Sequence, residues 1–234
     1  MKLRNYTIYI VAFLFCACSP SYTLQSYEDK VIEIQSIEDS TVLAIIAPYQ
    51  NAIEAEMNEV LSFTKTELNK NGAESTLGNF VTDLCLNYTN AHMCVMNNGG
   101  LRTTIDKGKI TRGKLYELMP FENELVVLEL NKDDYIGLLN YISKRGGGPF
   151  SGINITMDKE GKILSNSWPV NFENGEKVRV LTSDYLADKM SFFQNKEQEK
   201  VGIKIRDAII DYCSKTDTIA VSLDRRIQII ENGE

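Results

Sequence analysis

Apolar positions recur along the chain with two periods, and the switches between them divide it into elements. Residues 30–35, KVIEIQ, alternate apolar and polar as a half-buried strand does. From 42 to 61, Ile45, Ile46, Tyr49, Ile53, Met57, Val60 and Leu61 fall at helical spacing. A proline fits a helix's first turn but not its interior, so this helix is expected to start just before or at Pro48. The clearest helix covers 75–90, where Leu77, Phe80, Val81, Leu84 and Tyr88 recur every three or four residues behind Ser75 as N-cap. HMCVMN (92–97) and LVVLEL (125–130) read as buried strands. Asn131 then caps a helix with Asp133 and Asp134 at its positive end and Tyr135, Leu138, Leu139 and Ile142 on its apolar face. Lys144, Arg145 and three glycines end it. INITMD (153–158) and VRVLTS (178–183) are strand-like, a short helix is expected around 184–190, and 203–213 is amphipathic. TIAVSL (218–223) and RIQII (226–230) close the chain as strands at hairpin-like spacing. The pattern predicts an α+β domain whose mixed sheet is flanked by helices.

Composition alters this picture mainly at the N-terminus. Lys2 and Arg4 precede an apolar run from Tyr6 to Ala17 that is short for a membrane span, and small residues and Pro20 follow. That order predicts an exported protein with a signal peptide over 1–17. Lipidation at Cys18 or simple cleavage would each follow. Lipidation would leave a membrane-anchored lipoprotein, periplasmic or at the cell surface, with 18–27 as linker and 28–234 as the folded domain. Losing Lys2 and Arg4 takes the formal charge from −7 to −9. So acidic a surface argues against a nucleic-acid partner, because binding its backbone needs a basic face. Cys85, Cys94 and Cys213 are three in number, so at most one bridge such as Cys85–Cys94 could form. Three buried free thiols is the preferred expectation.

His92 is the single histidine, and no GxSxG elbow, P-loop, GxGxxG or HExxH is present. A two-metal hydrolase centre needs several histidines and carboxylates, so this chain is not expected to carry out hydrolysis alone. Three stretches suit an anionic, aromatic ligand, and each also has an ordinary structural explanation. ESTLGNFVTD (74–83) is either a helix start offering free N–H groups, with Gly78 allowing close approach, or a plain capped helix. In NNGGLR (97–102), Asn97 and Asn98 offer amides, Gly99 and Gly100 offer backbone N–H groups, and Arg102 is a forked donor; a simple turn would look the same. In MPFEN (119–123), Phe121 is either a stacking ring or core.

Their order, with TRGKLYELMPFENEL, GPFSGI and VLTSDYLA, resembles the C-terminal, substrate-binding domain of the 5′-nucleotidase and UDP-sugar hydrolase family, from about Val60 to Arg226. In that family this domain binds the nucleotide, while a separate metallophosphoesterase domain holds two metal ions and the catalytic histidine. The resemblance implies that Asn97 and Arg102 contact the ribose and phosphate region. It also implies that Phe121 and Tyr185, a tyrosine in place of the family's phenylalanine, clamp the base. Two positions depart from the family pattern. Asn71 and Ala73 replace arginines that help to hold phosphate, with Lys70 as a substitute of different geometry. DKMS replaces a glycine pair and a ribose-gripping aspartate, leaving Asp188 or Ser191 to stand in. The resulting expectation is a nucleotide-recognition domain with no cofactor of its own, acting with a separate metallophosphatase that supplies divalent metals. The alternative is a non-catalytic nucleoside- or nucleotide-binding surface lipoprotein.

Overall fold

A computed structural model describes residues 40–231. The expected signal, Cys18, the linker and the KVIEIQ strand lie outside them. Apart from residues 40–45, the architecture below belongs to the unit that begins at Ile46.

The first helix, α1 (Ser40–Met57), starts earlier than expected and carries Pro48 in its interior. It also stops sooner. Val60 and Leu61, though at helical spacing, enter strand β1 (Val60–Thr64), a run rich in β-formers. Helix α2 (Thr76–Leu86) begins where Ser75 accepts from the Gly78 N–H at 3.1 Å. Strand β2 (Met93–Val95) follows. Strand β3 (Gly108–Thr111) and helix α3 (Arg112–Leu118) were missed, being too short for a period to show. Strand β4 (Glu124–Leu130) and helix α4 (Lys132–Lys144) fall close to the expected places, with Asn131 accepting from the Asp134 N–H at 2.9 Å. Next come β5 (Phe150–Ser151), β6 (Ile155–Asp158), β7 (Ile163–Asn166), β8 (Val178–Ser183), α5 (Asp184–Lys189), β9 (Glu199–Lys204) and α6 (Ile205–Ser214). The two closing strands, β10 (Thr218–Ile219) and β11 (Ile227–Ile230), are not a hairpin: β10 pairs parallel with β1, and β11 parallel with β6.

The central sheet has the order β5-β2-β8-β4-β9. Its strands alternate between two cores, as a period of two dictates. Cys94, Leu125, Val127 and Leu181 face α2, α3 and α6. Met93, Val95, Val126, Leu128 and Val180 face Tyr135, Leu138, Leu139 and Ile142 of α4. Both faces are covered, which is why LVVLEL reads as a nearly continuous apolar run. The mixed sheets flanked by helices are the α+β architecture that the pattern predicts.

Pairing directions decide where the functional residues gather. Strands β2 and β8 are parallel, with Cys94 beside Leu181, so their C-terminal ends leave the same edge of the sheet. Strand β4 runs antiparallel to β8, with Leu125 beside Ser183, and so begins at that edge. Strand β5 runs antiparallel to β2, with Val95 beside Phe150, and also begins there. Three loops and a helix start therefore converge: 96–102 after β2, 119–123 before β4, 145–149 before β5, and the first turn of α5 after β8. Carboxyl ends of parallel strands are where ligands commonly bind in open sheets.

Candidate functional site

Asn97, Gly99, Gly100, Arg102, Phe121, Asn123 and Tyr185 line one cleft of 340 Å³. Residues 98–100 form a short 3-10 turn. Gly100 donates its N–H to the Asn97 carbonyl at 3.0 Å, so that group belongs to the turn and is not offered to a ligand, contrary to expectation. The small residue has a different use: a Cβ there would stand 3.2 Å from Asn97 Oδ1, so glycine lets the amide fold over the turn. Arg102 is tied by its N–H to the Leu118 carbonyl at 2.8 Å, which couples the turn to the end of α3. Its Nη1 donates to the Gly99 carbonyl at 3.2 Å, and its Cζ lies 6.0 Å from the Phe121 ring centroid.

Phe121 is 42% exposed and Tyr185 49%, so neither ring is core. Two exposed rings and a guanidinium on one cleft supply stacking faces and a forked donor. The Phe121 turn is held from below by Arg206, which is 6% exposed. Arg206 stacks on Tyr116 at 4.4 Å, donates to the Met119 carbonyl at 3.4 Å and pairs with Glu122. Glu122 also pairs with Lys204. Hydrogen bonds from Lys204 and then Arg206 hold the Glu122 carboxyl far below its usual value, at about 2.

Lys70 is half-buried with its Nζ on the Leu101 carbonyl at 2.8 Å, beside the Arg102 turn. The start of α2 is occupied by protein: Ser75 caps it, and a Cβ on Gly78 would stand 3.3 Å from Pro149. Asn98 faces a neighbouring cleft. Asp188 and Ser191 line neither cleft, and the Asp188 carboxylate accepts from Gln198 at 2.8 Å. Asn123 is the lining residue that sequence reasoning passed over; its only signal was its place two residues after Phe121. His92 lies at the opposite end of β2, where Nδ1 accepts from the Arg179 N–H at 2.9 Å. Cys85, Cys94 and Cys213 are free and buried; burial pushes the Cys85 and Cys213 thiols up to about 12 and raises Cys94 as well. Among the described residues, no group of three or more His, Cys, Asp or Glu could hold a metal ion.

This α+β fold thus carries two exposed rings and a guanidinium on one cleft at the carboxyl edge of its central sheet. The family described as 5′-nucleotidase, C-terminal domain, matches residues 53–191, and the chain belongs to it. The trifunctional nucleotide phosphoesterase YfkN of Bacillus subtilis is 33% identical over 155 residues, covering 58% of this chain and 10% of that protein. The 5′-nucleotidase of Vibrio vulnificus is 26% identical over 159 residues, covering 64% of this chain and 28% of that protein. Among solved structures, the 5′-nucleotidase precursor from Thermus thermophilus superimposes with a TM-score of 0.67 at 25% identity, over 84% of this chain and 44% of that one. The chain thus spans less than half the length of each of these relatives.

Proposed function

We propose that this chain is the nucleotide-recognition part of a 5′-nucleotidase-type phosphohydrolase and works beside a separate metallophosphatase that supplies the divalent metals. Phe121 and Tyr185 sandwich the base, Asn97 orients the ribose and phosphate region, and Arg102 pairs with phosphate. The observation that carries this reading is the cleft itself, where two half-exposed rings share a wall with a guanidinium that has no carboxylate partner among the described residues. Family membership supports the substrate class. The order of residues at the N-terminus supports export and lipid anchoring at Cys18, which would hold both proteins on one membrane.

A second reading, a binding lipoprotein without a catalytic partner, is favoured by two features. Ala73 replaces a phosphate-holding arginine of the family, and Asp188 lies away from the cleft. Phosphate release from AMP and nucleoside diphosphates separates the two, measured with each protein alone and mixed, in divalent metal. The split-enzyme reading expects the mixture to be clearly faster than the metallophosphatase alone. Equal rates would sink it and leave the binding reading.

A further inference from the structure

A second cleft of 410 Å³ opens on the same edge of the sheet, and Asn97, Gly99 and Tyr185 are walls of both. Its other side is built by the end of α4 and the glycine loop before β5. Gly147 has a φ of +119°, and a Cβ there would stand 2.2 Å from the Ala73 carbonyl oxygen. Only glycine lets this loop lie flat on the start of α2, with the Gly148 N–H donating to Ala73 at 2.9 Å. That contact sets Arg145 on the rim, its Cζ 4.2 Å from the Tyr141 ring centroid.

The electrostatics of this cleft are unusual for so acidic a chain. Arg112, Arg179, Arg206 and Arg226 each hold a carboxylate. Among the described residues, the arginines outside every ion pair are Arg102, Arg145 and Arg225, and of these Arg102 and Arg145 line clefts. Neither of the two adjoining clefts has an acidic lining residue, whereas the charged groove around Arg179 has Glu129, Glu197 and Glu199. Arg145 is thus a guanidinium stacked on Tyr141, outside every ion pair among the described residues, in a cleft it shares with Tyr185 and Met190. An isolated cation costs little on a wet rim, yet in a chain of net charge −7 it is the feature that would draw an anionic group into this compartment.

We propose that the second compartment receives a second anionic group of the same ligand, so that the chain prefers a nucleoside bisphosphate, phosphorylated at the 5′ position and on the ribose 2′ or 3′ oxygen, to a 5′-monophosphate. Arg102 takes one phosphate and Arg145 the other, from compartments that meet at Tyr185. This rests on the nucleotide reading of the first cleft. It also gives a use to the absence of a carboxylate here, since an acid gripping a free ribose diol would repel a phosphate on it.

Calorimetry of the purified chain with 5′-monophosphates, 5′-diphosphates, and 2′,5′- and 3′,5′-bisphosphates, in the adenosine and uridine series, tests the proposal. One bisphosphate is expected to bind at least about tenfold tighter than both the monophosphate and the equally charged diphosphate, or about 1.4 kcal/mol. Arg145→Gln should remove that gain and Arg145→Lys restore part of it; the side chain is exposed, and a thermal melt checks that each variant folds. Bisphosphates no tighter than the diphosphate, or a gain that survives Arg145→Gln, overturn it while the nucleotide reading stands. If no nucleotide of either series binds, the nucleotide reading falls and the second compartment falls with it.

Discussion

Glu122, Lys204 and Arg206 lock the turn that presents Phe121 to the cleft. The Glu122 carboxyl titrates at about 2 against 4.5 in the unfolded chain, because both cations hydrogen-bond its charged form. A depressed acid contributes its full stabilisation above its unfolded value and loses it as pH falls through the folded one. The lock is therefore intact at neutral pH and releases between about 4.5 and about 2. Over that window the melting temperature of the wild-type chain should fall more steeply than that of Glu122→Gln, which has no charge to lose. Parallel pH profiles would contradict the role given to this cluster. Sequence reading found Phe121 but not the cluster, because Arg206 lies 84 residues from Glu122 and meets it only through the β4–β9 pairing.

Among the elements, capped or strongly patterned segments were legible, down to the six-residue α5, while several short ones were not. Ser75 and Asn131 marked α2 and α4 because a cap side chain and an apolar stripe follow each at fixed spacing. LVVLEL was legible because both its faces are buried. Strands β3 and β5 hold four residues or fewer, and α3 only seven, so no period repeats within them; β10 takes up only the first two residues of the expected TIAVSL strand. Helix α1 misled through Val60 and Leu61, apolar residues that continue its spacing but belong to β1, where Val60 pairs with Thr111 of β3. The glycine loop at 146–148 showed only as a helix stop, although its contact with Ala73 builds the second cleft. Gly147→Ala should strain a backbone conformation reserved for glycine and meet the Ala73 carbonyl, at a cost of about 1–3 kcal/mol. A thermal melt should show the midpoint lowered by several degrees; an unchanged Tm would mean that the loop does not pack as described.

The central five-stranded sheet has mixed strand directions that bring three loops and the start of α5 to one edge. The motifs NNGGLR, MPFEN and SDYLA were visible in the sequence; their convergence follows from pairing that no local pattern encodes. The chain covers 44% of the Thermus thermophilus nucleotidase, and its described residues hold rings and guanidiniums but no metal-binding group of three or more His, Cys, Asp or Glu. Family membership and the lining of the cleft make recognition the property to measure. The most direct measurement is calorimetric titration of 5′-AMP into the wild-type chain, Phe121→Ala and Arg102→Gln. Both residues are exposed, so neither change should unfold the protein. Stacking on a base contributes about 1–3 kcal/mol, so Phe121→Ala should weaken binding about tenfold or more. Arg102→Gln should bring AMP towards the affinity of adenosine. Saturable binding with both losses is the predicted result; no binding, or wild-type affinity in both variants, would contradict nucleotide recognition by this cleft.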